Sequence, residues 1–127
     1  MANTILSKEQ VLARLTETST VAGADLKGID LSGEDLSGSD FSRTNLTGAN
    51  LSNCKLIETR LHEASLRGAN LSGADLTRAY LVAADLLGAN LRSATMVWTF
   101  LSGANAGGAD FGEADLTEAR LGVIEAA

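Results

Sequence analysis

The chain has 127 residues, a formal net charge of −6 and a single cysteine. This length predicts one domain, the negative charge disfavours direct binding to nucleic acid, and a lone cysteine excludes a disulfide framework. No apolar stretch is long enough to span a membrane, and the N-terminus lacks the basic and apolar regions of a secretory signal. We therefore expect a cytoplasmic protein that does not bind a membrane.

Residues 7–18 carry the pattern of a short amphipathic helix. Ser7 suits the N-cap position, and Gln10, three residues later, completes a capping box. The apolar residues of this segment share one face: Val11, Leu12 and Leu15. A helix with one such face is suited to cover the open first turn of a repeat, so we predict that residues 1–20 form an N-terminal cap.

From Leu26 to Leu121, leucine or a substitute falls on every fifth position, which we call the leucine register. Sixteen of its twenty positions are leucine, and the others are Phe41, Met96, Ala106 and Phe111. A period of five drifts around an α-helix and changes sides on a flat strand, so neither would bury these side chains together. A short extended segment followed by a turn every five residues would point them all at one axis. Four such segments would make a square coil of twenty residues.

The positions around the leucine register agree with this geometry. Two residues before it, thirteen of twenty are alanine, as expected for a side chain that shares a narrow interior with leucine. Directly before it, eight are aspartate and five asparagine, whose side chains can bond nearby backbone at corners. Two residues after it, nine are glycine, which suits a turn with positive φ. Glu34 occupies one of the alanine positions in the first coil. Because a buried unpaired charge is costly, we expect its side chain to reach water or a polar group of the cap.

Read as A-[D/N]-L-x-x, the repeats closely resemble the pentapeptide-repeat family, in the runs AGADLKGIDLSGEDLSGSDF, GANLSGADLTRAYL and GGADFGEADLTEARL. The resemblance covers about residues 22–124. It implies an all-β solenoid, a right-handed quadrilateral β-helix, which with twenty repeats would have about five coils behind the N-terminal capping α-helix. We accordingly assign residues 21–124 to the β-helix and residues 125–127 to a C-terminal tail.

The side chains that could carry chemistry do not converge in this pattern. His62, the single histidine, occupies an outward position where we expect a solvated side chain, and Cys54 falls in the inward alanine positions as a small core residue. The aspartates recur with the repeat, which favours a structural role over catalytic or metal-binding carboxylates. No His/Cys cluster, phosphate loop or nucleophile motif is present. We therefore predict no enzyme activity, no cofactor and no metal.

One surface of the middle coils departs from the small or polar residues that the repeat prefers. Tyr80 and Phe100 replace aspartate or asparagine and, being twenty residues apart, are expected to stack on one face. Because aromatic residues dominate binding hot spots, this surface is a candidate site for a protein partner. It comprises Arg78, Tyr80, Val82, Val97, Trp98 and Phe100. The alternative is a cluster that only covers the corner of the coil, with Arg78 packed on the Trp98 ring.

These observations predict a non-catalytic protein-interaction or scaffold module, with a homodimer through the C-terminal coil or through the aromatic surface as a further hypothesis. The resemblance also suggests an alternative, since some family members are rod-shaped dimers that mimic DNA and protect the topoisomerase gyrase from quinolones. The acidic residues of the first and last coils favour that alternative. The small number of coils and the basic residues of the middle coils oppose it.

Overall fold

The structure is a computed structural model, and it describes residues 4–122. Within them, one helix, α1 (Lys8–Thr18), precedes a long series of single-residue parallel β-bridges. Every bridge joins positions twenty residues apart, from Ile5 with Asp25 to Phe100 with Arg120. The chain therefore returns over itself every twenty residues, as the five-residue period predicted.

Helix α1 is held at both ends by the bonds that its sequence predicted. The Ser7 side chain accepts a hydrogen bond from the Gln10 backbone N–H at 3.1 Å, and the Ser7 N–H donates to the Gln10 side chain at 2.8 Å. At the other end Ser19 adopts a left-handed conformation, with φ 61°, and its N–H donates to the Leu15 carbonyl. These bonds satisfy backbone groups that a helix terminus leaves without intrahelical partners.

The helix packs against the start of the coil. Val11 is fully buried, and Leu12 and Leu15 are half-buried against the core. Lys8 and Glu34 form an ion pair at 3.0 Å. The expectation that Glu34 meets a polar group of the cap is thus confirmed, since Lys8 belongs to α1.

A single apolar column runs through the molecule. The leucine register is fully or almost fully buried from Leu26 to Leu101, and each such leucine contributes about 1.5–3 kcal/mol to folding. Exposure rises toward the last coil, where Leu116 and Leu121 are 37% and 42% exposed. The proposed boundary at residue 124 and the tail at residues 125–127 lie outside the described residues.

Each corner is a four-residue turn that is closed by its own backbone and has a positive φ at its third residue. The Ala69 N–H donates to the Leu66 carbonyl at 3.0 Å, and Gly68 between them has φ 63°. The side chain before the leucine register adds a second bond, as when the Asn70 side-chain oxygen accepts from the Ser72 N–H at 3.0 Å. These bonds confirm the predicted role of the aspartates and asparagines at corners.

Three polar groups inside the coil bond to the coil below. The hydroxyls of Thr59 and Thr99 donate to leucine-register carbonyls at 3.0 and 2.7 Å, and the Cys54 thiol donates to a third such carbonyl at 2.9 Å. Burial raises the pKa of the Cys54 thiol to about 11. Cys54 is therefore a core residue, as predicted, and not a thiolate at neutral pH.

Candidate functional site

One side of the coil carries the aromatic residues, and we call it the aromatic face. Its outward column, read along the coil axis, consists of residues paired by successive parallel bridges: Thr20, Asp40, Arg60, Tyr80, Phe100 and Arg120. Because every fourth segment lies on the same side, residues twenty apart become neighbours about 4.8 Å apart. The repeat alone therefore assembles this face from distant parts of the sequence.

Three rings stack along this column. The ring centroids of Tyr80 and Phe100 lie 5.1 Å apart with planes inclined by 4°, which confirms the predicted pair. His62 extends the stack, with its ring 5.6 Å from that of Tyr80 and inclined by 11°. His62 lies on the surface, as expected, but it is only partly solvated, because the side chain leans from the neighbouring corner onto the Tyr80 ring and is half-buried.

Trp98 lies at the corner beside the column. The guanidinium carbon of Arg120 sits 5.0 Å from the centre of the Trp98 ring, a cation–π contact. The prediction that Arg78 packs on the Trp98 ring is wrong. The cation on that ring is Arg120, from the coil above, and Arg78 is exposed.

The predicted surface residues lie together on this face, but they differ in exposure. Tyr80, Trp98 and Phe100 are half-buried. Val97 flanks the column at the Trp98 corner, and Val82, 37% exposed, flanks it at the opposite corner. Since the stacked rings cover one another's faces, the rings present mainly their edges to solvent. The result is an apolar ridge bordered by aliphatic corners.

The basic residues of this face are not used in ion pairs within the described chain. On other sides of the coil, Arg67 pairs with Asp85, and Arg92 lies 3.3 Å from Asp110 and 3.4 Å from Glu113. By contrast, the arginines of the aromatic face form no ion pair with any residue of 4–122: Arg60, Arg78 and Arg120. The Arg120 guanidinium lies instead on the Trp98 ring, whereas the charges of Arg60 and Arg78 have no ion-pair partner among the described residues.

The rest of the described surface offers little chemistry. A groove of about 280 Å³ separates α1 from the first coil, and Asp35 is the one charged residue among those lining it. Within residues 4–122 no group of three or more His, Cys, Asp or Glu side chains is arranged to hold a metal ion. No helix in that range has the length and hydrophobicity needed to cross a membrane.

Comparison with known families places the repeats in context. The model of one family, described as pentapeptide repeats, matches in eight copies over residues 22–56, 44–81, 59–96, 69–105 and 100–122. The matches together extend across nearly all of the described coil. A comparison with curated proteins gave no significant match.

Solved structures with a similar fold include two cyanobacterial proteins. One is HetL of Nostoc sp. strain PCC 7120, a pentapeptide repeat protein involved in heterocyst differentiation regulation, at 33% identity and a TM-score of 0.59. That match covers 86% of this chain and 48% of HetL, so the chain spans about half the length of HetL. The other is the pentapeptide repeat protein Rfr23 of Cyanothece 51142, at 30% identity and a TM-score of 0.60, covering 91% of this chain and 92% of Rfr23.

A third similarity is too weak to support an argument about this chain. QnrB1, a plasmid-mediated fluoroquinolone resistance protein, is 20% identical, and the match covers 85% of this chain and 82% of QnrB1. The TM-score is 0.31.

Proposed function

The chain belongs to the pentapeptide repeat family, and we propose that it is a non-catalytic interaction module that binds a protein through its aromatic face. Membership of the family also leads us to infer that the coil is right-handed and four-sided. With a cap at residues 1–20 and about five coils over 21–124, the molecule is a short rod whose sides are available for contact.

The observation that carries this proposal is the three-ring stack with its exposed edges. Tyr80 and Phe100 stand where the repeat otherwise places polar side chains, and His62 stacks on Tyr80 from the neighbouring corner. Large aromatic side chains on a rigid β-sheet side lose little conformational entropy on binding, because the stack already fixes their rotamers. Arginines without ion-pair partners around such a ridge are typical of a protein-binding hot spot.

A purely structural role for the cluster explains less. The Tyr80–Phe100 stack does stabilise the coil, by about 0.5–1.5 kcal/mol beyond the area it buries. However, the neighbouring coils carry Arg60 and Arg120 at the same position of this side, so the fold does not require rings there. Val82 also adds an exposed aliphatic side chain that makes no contribution of this kind.

The carboxylates support a non-catalytic module. Asp30, Asp35 and Asp110 accept hydrogen bonds from backbone N–H groups two residues later, and these bonds lower the pKa of each carboxyl. The pKa of the Asp115 carboxyl is lowered by the Thr117 hydroxyl and then by the Thr117 N–H. A general acid or base needs a pKa near the working pH, and this lowering acts in the opposite direction. The position of these aspartates in the turns therefore explains their presence without a catalytic role.

No specific observation favours the gyrase-directed DNA mimic, which stays a hypothesis. A DNA mimic needs a continuous acidic stripe, whereas Arg67 and Arg92 interrupt the sides of the middle coils and pair with the acidic residues above them. A supercoiling assay with and without a quinolone distinguishes the two functions. Protection of gyrase by this chain would replace our proposal.

The proposal is tested by a charge placed at the edge of the aromatic face. We expect Val82→Arg to lower capture of bound protein from an extract of the source cells at least about tenfold, because it puts an unpaired charge into the contact. Leu87→Arg is the matched control. Leu87 is 40% exposed at the same repeat position of the same coil but lies at the next corner, and arginine already occupies this position at Arg67 and Arg92.

Capture by the two variants is compared with the parent chain by quantitative mass spectrometry, after thermal unfolding has shown that both remain folded. Equal capture by Val82→Arg and the parent would show that the aromatic face is not the binding surface.

A further inference from the structure

We propose that the groove between α1 and the first coil binds an extended peptide segment with a basic side chain, as an added β-strand. The inference is independent of the proposed function, because the groove lies at the first coil and the ring stack at the middle coils. It is carried by residues 35–39, which line the groove and lack backbone hydrogen bonds that every later coil makes at the same side.

Three backbone groups bond each later coil to the coil below it on this side. At the second coil, the Lys55 N–H donates to the Glu34 carbonyl at 3.0 Å. The carbonyls of Lys55 and of the residue two positions later accept from the N–H groups of Leu36 and Gly38, at 2.8 and 2.9 Å. The third, fourth and fifth coils repeat the same three bonds, so an extended segment below this edge has a fixed register.

The equivalent groups of the first coil lack these bonds, because α1 takes the place of a coil below them. They are the Asp35 N–H, the Asp35 carbonyl and the Ser37 carbonyl, and none has a backbone partner among residues 4–122. The backbone groups of a helix bond within the helix, so α1 covers the apolar column without pairing this edge. Unpaired N–H and C=O groups at a sheet edge are a template for another extended chain, and the groove gives such a chain access to them.

The unpaired edge is short and is fixed at both ends. Before it, Glu34 forms the ion pair with Lys8 of α1. After it, pairing resumes where the Asp40 N–H donates to the Ser19 carbonyl at 2.9 Å. The edge is therefore one five-residue repeat long, and because its ends are anchored it needs little reordering to receive a segment of that length.

The walls of the groove indicate which side chain the segment presents inward. Leu12 and Leu15 of α1 are half-buried and line the groove together with Leu36. In the coils above, the middle residue of each segment on this side points inward and is leucine or methionine. An apolar side chain at the third position of the added segment would bury the two leucines of α1. The volume of about 280 Å³ is near the lower end for ligand pockets, ~300 Å³, so the groove suits a short segment and not a folded element.

The outward column of this side favours a basic residue in the segment. From the first coil upward the column begins Asp35, Lys55, Asp75, joined by successive parallel bridges, so its charges alternate. Asp35 is exposed and is in no ion pair within the described chain. A lysine or arginine at the second position of an added segment would lie directly below Asp35 and continue the alternation. Opposite charges directly across neighbouring strands stabilise a sheet.

A peptide with the pattern of one repeat tests the site. The probe is the acetylated and amidated peptide Ala-Lys-Leu-Ser-Gly, whose first carbonyl and third and fifth N–H groups match the three unpaired groups. Titration into the isotope-labelled chain is followed by NMR of the backbone amides. We expect a dissociation constant on the order of 1 mM, because so short a segment must be ordered on binding. The amide signals of residues 35–39 should shift, and hydrogen exchange at the Asp35 N–H should slow about tenfold at about 10 mM peptide.

Two altered peptides separate backbone pairing from other contacts. N-methylation of the leucine removes the N–H that would bond to the Asp35 carbonyl, and it should weaken binding at least about tenfold. Glutamate in place of the lysine sets like charges together, and it should weaken binding at least about threefold.

A variant of the chain closes the groove from the side of α1. Thr16 is exposed and lines the groove, so we expect Thr16→Trp to weaken binding of the lysine peptide at least about tenfold. Glu17→Trp is the matched control, because Glu17 is the next residue of α1, is exposed and does not line the groove. The control should bind as the parent does, and circular dichroism shows that α1 is retained in both variants.

Three results would overturn the inference: no shift at residues 35–39 up to about 10 mM peptide, equal binding of the N-methylated peptide, or equal binding of the lysine peptide by Thr16→Trp and the parent.

Discussion

Aspartate and asparagine do the same work at the corners, since both offer a side-chain oxygen to the backbone N–H two residues later. Asp40 accepts that bond from Ser42 at 2.9 Å, and Asn45 accepts it from Thr47 at 3.1 Å. The difference between them appears only with pH. Hydrogen bonding to Ser42 lowers the pKa of the Asp40 carboxyl, and the nearby Arg60 acts in the same direction.

This difference predicts acid sensitivity. A carboxyl whose pKa is lower in the folded state than its ordinary 3.8 stabilises the fold above pH 3.8, and this stability is lost as the pH falls through the lower folded value. We expect the melting temperature to be constant from pH 7 to about pH 5 and to fall below about pH 4. A variant with asparagine in place of the five affected aspartates should show a much smaller fall in melting temperature over that range. These aspartates are Asp30, Asp35, Asp40, Asp110 and Asp115.

Asparagine already occupies the equivalent position with the same bond at Asn70 and Asn90, so the fivefold variant should fold. Calorimetry at a series of pH values provides the measurement. An equal fall in melting temperature at low pH in the parent and the variant would contradict the role assigned to these carboxyls.

Which residues share a side could be predicted from the sequence, whereas the direction in which their side chains lean could not. The period of twenty places Tyr80 under Phe100 without reference to coordinates, and the stack is observed. It also places Arg78 under Trp98, yet the cation on that ring is Arg120. Long side chains near a corner can reach either the coil above or the coil below, and local packing decides between them. His62 joined the stack for the same reason.

At the scale of elements, α1 closes a surface that the repeat cannot close by itself. The first coil has no coil below it, and α1 supplies Val11 as a fully buried residue and Lys8 as the partner of Glu34. The helix bounds were close to those predicted, because a capping box is a local signal. The extended segments were harder to delimit, since each is reduced to a single-residue bridge between two turns.

The cap itself can be tested at Ser7. We expect Ser7→Ala to lower the free energy of unfolding by about 1 kcal/mol, because the Gln10 N–H loses its acceptor at the helix start. Glu17→Ala, at an exposed position in the last turn of α1, is the control and should change stability little. Urea unfolding followed by circular dichroism measures both. A loss in Ser7→Ala no larger than in the control would show that the capping box does not hold α1.

At the scale of the whole molecule, the coil converts the repeat pattern of the sequence into sides that differ in chemistry. The side of Asn50, Asn70 and Asn90 is a ladder of polar side chains engaged with their own turns. The opposite side carries the rings. A rod built in this way can keep one side polar and use another for binding without changing its core.

The most direct test of the aromatic face as a protein-binding surface is site-specific photo-crosslinking. The photoreactive residue p-benzoylphenylalanine, placed at position 100 in the source cells, should give a covalent adduct with a bound protein, and one of twice the chain mass if a second copy is the occupant. The same residue at position 90, on the opposite side, should give none. Adducts of equal yield from both positions, or from position 90 alone, would contradict the account.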